Sequence, residues 1–105
     1  MQVQAEFDRA ELARVRGNEG QARVCARRAA GFAAREYYTR QGRTIRTPSA
    51  YDLLNSLVED RSLSDELRLS ARYLTLRVNE EFELPAGVDL ISEAKNLYRG
   101  LVGEK

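Results

Sequence analysis

The stretch from residue 21 to 46, QARVCARRAAGFAAREYYTRQGRTIR, constrains the fold more than any other part of the chain. Ala22, Ala26, Ala29, Ala33 and Tyr37 recur at helical spacing, and Cys25, Ala30 and Phe32 widen the stripe. Small side chains along a helix let a neighbour approach near the short end of the usual ~8–10 Å interaxial range. The same stretch holds Arg23, Arg27, Arg28, Arg35, Arg40, Arg43 and Arg46 against one acid, Glu36, a local charge of +6 in a chain whose formal charge is +1. It therefore reads as a packed scaffold with a candidate anion-binding side.

Around this helix, expected over about 20–41 and stopped by Gly42, the rest also reads as helical. Val3, Phe7 and Ala10 mark a first helix over about 3–16, broken at Gly17 to Gly20. Thr47 as N-cap and Pro48 at the first helical position open a third over about 48–59, with Ala50, Leu54 and Leu57 inward and Tyr51 and Val58 beside them. Ser62 to Glu66 open a fourth, capped by serine with acids in its first turn and a stripe of Leu67, Ala71, Leu74 and Val78. Pro85 and Gly87 end the turn before a fifth over about 88–102, with Leu90, Ala94, Leu97 and Leu101 inward. No useful strand-like alternation and no internal repeat occurs. Short connections between amphipathic helices favour antiparallel neighbours, so the expected fold is all-α, an up-and-down bundle of four to five helices.

The 105 residues suit one domain, 1–105, which buries roughly 65% of its unfolded surface. The single cysteine, Cys25, makes no intrachain disulfide. The N-terminus lacks the pattern of a signal peptide, and no apolar run nears the ~20 residues of a membrane span. A cytoplasmic chain with no membrane association is the expectation. Histidine is absent, which removes the commonest general base and metal ligand together. A histidine-activated nucleophile is excluded within the chain, and no structural zinc site, cofactor or other metal is expected.

Arg23, Arg27, Arg28 and Arg35 fall away from the alanine stripe on a helical wheel. They fit a phosphate-binding face for nucleotide or RNA. Their favoured reading is a solvated face that ion-pairs with the second half, where residues 50–105 carry eleven acids against seven bases. Val24, Gly31 and Tyr38 recur at seven-residue spacing opposite the alanines. They suggest a homodimer seam or, alternatively, a helix buried on two sides inside one bundle. Tyr37 lies on the core stripe, leaving Tyr38 as the residue able to stack on a base. Arg43, Arg46 and Thr47 lead into the third helix, whose free N–H groups could hold a phosphate; a simple capped loop reads the same way. Glu80, Glu81 and Glu83 lack the spacing and glycine of a calcium loop and read as a solvated turn.

Three segments resemble the HEPN family (higher eukaryotes and prokaryotes nucleotide-binding): ARVCARRAAGFAAREYYTRQG, SAYDLLNSLVED, and ARYLTLRVNEEF followed by DLISEAKNLYRGL. The resemblance covers about residues 20–102 and implies a four- or five-helix bundle, commonly a homodimer. Many members are encoded beside a nucleotidyltransferase-like partner protein in toxin–antitoxin pairs. Active members are metal-independent ribonucleases using an arginine followed four to six residues later by histidine. This chain has no histidine. Arg72 and Arg77 lie in the corresponding region without an acid–base partner, so no catalytic role is carried over. The expected function is a non-catalytic HEPN-like module binding a partner protein, a nucleotide or RNA. A histidine-free ribonuclease and a purely structural bundle are the alternatives.

Overall fold

Most of the side chains that the central helix buries are single methyl groups. The structure, a computed structural model, describes residues 2–76 and 87–103 and places five helices in them: α1 (Gln2–Val15), α2 (Glu19–Arg40), α3 (Ala50–Glu59), α4 (Asp65–Thr75) and α5 (Leu90–Val102). No strand occurs among the described residues, so the all-α expectation holds. No helix there is long and apolar enough to cross a membrane.

The longest helix, α2, packs against each of the other four. Ala22, Ala26, Ala29, Ala30, Ala33 and Ala34 are all fully buried on it. The bulk that fills the core comes from the facing helices, as Leu54 and Leu57 of α3, Leu74 of α4, and Leu90 and Leu97 of α5. Small residues on one side and leucines on the other interdigitate at the close-packed density of protein interiors. Gly31 carries this to its limit. A Cβ built there would lie 2.6 Å from the Ala50 Cβ, so α3 starts directly against the α2 backbone.

This contact revises the second stripe. Gly31 is covered by α3, and Tyr38 is 2% exposed within the single chain, so neither is available as an exposed dimer seam. Val24, the third member, is the one that faces outward. The cause is the breadth of the buried arc, since all four other helices pack against α2. The two tyrosines exchange the roles expected of them: Tyr38 is in the core and Tyr37 is half-buried at its edge.

Helix ends follow local hydrogen bonding. Asn18, Ser64 and Asp89 cap α2, α4 and α5 through their side chains. The start of α3 is displaced from the expected Thr47–Pro48 boundary. Ser49 is the N-cap, and its Oγ accepts from Asp52 N at 3.2 Å. Thr47 instead accepts from Ser49 N at 3.1 Å and donates to the Asp52 carboxylate at 3.0 Å. Two hydroxyls compete for one helix start, and placing the cap at Ser49 employs both. The fourth helix ends at Thr75, short of the expected Val78, and Val78 and Pro85 lie outside the described residues.

One guanidinium ties three helix ends together. Arg14, in the last turn of α1, bonds both carboxylate oxygens of Glu19 at 3.1 and 2.6 Å and both of Asp89 at 3.0 and 2.9 Å. Hydrogen bonds from Arg14 hold the Glu19 and Asp89 carboxyls below their ordinary pKa values. Asp89 also accepts from Ile91 N, so the clamp fixes the residue that starts α5.

Two outcomes follow. Gly31→Ala should lose about 1–3 kcal/mol to overpacking, outweighing a helix-propensity gain of up to about 1 kcal/mol. Gly20→Ala, whose nearest new neighbour would be 3.9 Å away, should keep the gain. Thermal unfolding of both variants reads the contrast, and an unaltered Gly31→Ala melt contradicts it. The clamp also sets a pH dependence. With folded pKa values depressed, its contribution is complete above the unfolded values of about 3.9 and 4.3 and is lost as pH falls through the folded ones. Both acids are substantially exposed, so each pair should contribute under about 1 kcal/mol. Arg14→Met should therefore lower stability at neutral pH and flatten the loss below about pH 4 in urea titrations.

Candidate anion-binding site

The arginines of α2 divide by what their guanidiniums reach. Arg27 points at the end of α4, where its Nε donates to Leu74 O at 2.9 Å and a terminal NH2 to Leu76 O at 2.8 Å. Those carbonyls are left without intrahelical partners at a helix C-terminus, where a cation is also favoured by the helix dipole. Burial, with the nearby Arg23 charge adding to it, lowers the Arg27 pKa, yet an arginine so shifted stays protonated. Arg40 repeats the arrangement at α5, donating to Val102 O at 2.8 Å while its Nε holds Glu36 at 2.8 Å. On α4, Arg68 does the same for α3 through Val58 O at 3.0 Å.

Two further arginines serve the chain around the connector. Arg35 donates to Thr47 O at 2.8 Å and so holds the approach to α3. The Arg43 guanidinium lies 4.3 Å from the centre of the Tyr38 ring and covers it. Burial first, and then the Asp60 charge, push the Tyr38 hydroxyl up to about 12. A covered ring of this kind presents no free face for a base. Thr47 is also occupied, on Ser49 and Asp52, so Arg43, Arg46 and Thr47 are not gathered into a phosphate cradle by any contact among the described residues.

Arg23 is half-buried beside Glu19, whose pKa depression comes first from Arg14 and to a lesser degree from Arg23. Arg28 and Arg46 are exposed and make no hydrogen bond or ion pair among the described residues. The ion-pair reading of this surface therefore needs restating. None of the α2 arginines bonds a carboxylate of the second half among the described residues, and their partners are mainly backbone carbonyls. Arg77, Glu80, Glu81 and Glu83 lie outside the described residues.

What remains outward is one edge of α2. Arg28, Phe32 and Arg35 sit at i, i+4 and i+7, on neighbouring positions of one helical face. Together with Gly31, Pro48 and Ala50 they line a cavity of about 90 Å³. Phe32 and Arg35 also border a second cavity, of about 150 Å³, shared with Gln2, Val3, Tyr98, Val102 and the carboxylate residue Glu36, which pairs with Arg40. The Thr47 carbonyl takes one of the five N–H donors of Arg35, and Arg28 has all of its own available. The edge thus offers two guanidiniums on either side of a half-buried aromatic ring. The sequence reading counted Phe32 as core and passed over it as a ligand contact, although its spacing from Arg28 and Arg35 was the available signal. Cys25 is buried, as a small core residue is expected to be.

No protein-family model, characterised protein or solved structure matches this chain.

Substitution separates the two kinds of arginine. Arg27→Met removes the side-chain donors of two helix-end carbonyls and should cost about 1.5–3 kcal/mol, the range for losing a hydrogen bond to a charged group. Arg28→Met should stay within about 0.5 kcal/mol of the parent, as surface changes do. Denaturant midpoints decide it, and equal midpoints for the two variants would show that the carbonyl contacts are idle.

Proposed function

We propose that this chain is a non-catalytic, HEPN-like helical module, an up-and-down bundle that binds single-stranded RNA along the Arg28–Phe32–Arg35 edge of α2. The observation carrying this reading is the pairing of an exposed guanidinium, Arg28, and a half-buried one, Arg35, with an aromatic ring on one helical edge. Guanidiniums take phosphate oxygens in a forked geometry, and a ring between them provides a stacking surface tolerant of any base.

Size favours an extended ligand over an enclosed one. Pockets that bury a small molecule usually measure about 300–1,000 Å³. The two cavities that meet at Phe32 are about 90 and about 150 Å³. Each accommodates a phosphate or the edge of a base, so a free nucleotide would find neither enclosure nor much contact. A strand lying along the edge can use both. The formal charge of +1 fits weak, local binding by a few phosphates in place of a broad basic track.

The non-catalytic part rests on composition. The HEPN ribonucleases pair arginine with histidine, and the sequence contains no histidine. Arginine stabilises charge on a phosphoryl group but shuttles protons poorly, because it stays protonated. The histidine-free nuclease would have charge-stabilising groups but lacks the histidine that the HEPN ribonucleases pair with arginine.

Fluorescence anisotropy with a short labelled oligouridylate tests this across a salt series. The parent should show a linear log–log decline, and Arg28→Gln should reduce the slope by about 0.7, the value for one phosphate on a single strand. Phe32→Ser should weaken binding by about 1–3 kcal/mol with the slope unchanged. Arg61→Gln, on the exposed turn before α4, should alter neither quantity. Failure of the parent to bind at low salt, or an unchanged slope in Arg28→Gln, overturns the reading. RNA cleavage in chelator would remove its non-catalytic half.

A further inference from the structure

A second surface, independent of the arginine edge, lies where α1 meets the start of α2. The last turns of α1 and the first of α2 enclose an open groove of about 390 Å³. Its apolar side is made by Ala13 and Cys25, both buried, and by Leu12, which is 49% exposed. Its charged rim is Arg9 and Arg16, and no acid lines it. Arg9 is held from behind by the buried Glu6 at 3.3 Å and keeps most of its side chain in solvent. Arg16 is exposed, and its guanidinium has no hydrogen-bonding or ion-pair partner among the described residues, while its backbone N–H donates to Leu12 O at 3.1 Å.

These features select among occupants. Half-exposed Leu12 above an apolar floor calls for an apolar side chain. RNA is disfavoured because no aromatic residue lines the groove to stack a base. A second copy entering by the same face would set arginine against arginine, and like charges across an interface disfavour it. The complement is therefore an acidic protein segment with an apolar stripe. Its conformation follows from spacing. Arg9 on α1 and Arg16, one residue past its end, are seven residues apart, about 10.5 Å at helical rise. In an extended strand about three residues cover that distance, which puts the two acids on opposite faces. In a helix, acids seven residues apart share a face with an apolar residue between them.

We propose that the α1–α2 groove docks one acidic amphipathic helix of a partner protein. An apolar side chain would sit on Leu12 and above Cys25, with two carboxylates two turns apart on Arg9 and Arg16. The docking rests on residues that the RNA reading does not use.

The test is selection of random displayed peptides of about four to five helical turns on the folded chain. Enriched peptides should share an apolar residue flanked by acids two turns apart. Arg16→Glu should weaken their binding by about tenfold or more, and lysine at the matching peptide acid should restore binding to that variant. Arg9 is left intact because it holds Glu6. Leu12→Ser, with the charges unaltered, should weaken the same peptides, and thermal unfolding checks that both variants remain folded. No enrichment, enriched peptides without acids, or equal binding to Arg16→Glu overturns the proposal. Self-association that Leu12→Ser abolishes overturns it in favour of a second copy. Oligouridylate binding lost in Arg16→Glu, with no peptide competing, assigns the groove to RNA.

Discussion

The close approach of four helices to one small-residue helix is the contact on which the rest depends. Six alanines of α2 are fully buried, and Gly31 brings α3 against the backbone itself. Because α2 contributes little volume, the leucines of α3, α4 and α5 reach across to complete the core. Methyl-sized faces also leave little slack, since a close-packed interior transmits any change in volume to its neighbours. The position of every other element is thus set by its distance from α2, and the residues left facing outward on α2 are the remainder of that packing.

Helix ends impose a second demand, met largely by arginine. Each helix leaves carbonyls at its C-terminus without intrahelical donors. Here Arg27, Arg40 and Arg68 supply donors to the ends of α4, α5 and α3. An exposed ion pair would contribute at most about 1 kcal/mol, whereas a hydrogen bond to a charged group contributes about 1.5–3. Arginines placed at helix ends therefore do more for the fold than the same residues spread over acidic neighbours would. This accounts for a segment of charge +6 within a nearly neutral protein without assigning all of it to a ligand.

Much of this was legible in the sequence, and the parts that were not share a cause. Helical periodicity locates all five helices, because burial of one face repeats every 3.6 residues. The exchange of Tyr37 and Tyr38 was not legible. Adjacent residues differ by about 100° on a helix, and a helix contacted by four neighbours has no single inward direction from which to choose. The shift of the α3 cap from Thr47 to Ser49 was hidden because both hydroxyls satisfy the same local rule. The partners of Arg27, Arg35 and Arg40 were hidden more deeply. They are backbone carbonyls, which every residue carries, so composition marks the arginine but not its acceptor. For the site, this means the candidate residues were identifiable as a set, while their division into structural and outward groups required the tertiary contacts.

Both proposed surfaces border α2, which raises the question of whether they act together. Cys25 of the groove and Arg28 of the edge are three residues apart, about 4.5 Å along the axis. RNA on one surface and an acidic helix on the other would both bring negative charge, so direct repulsion between them is the obvious coupling. At physiological ionic strength the screening length is about 8 Å, and charges closer than that still repel. A mechanical route would need α2 to shift within its packing, and Gly31 against Ala50 opposes that motion. The packing therefore leaves electrostatic repulsion, not a shift of α2, as the way one proposed ligand would weaken the other.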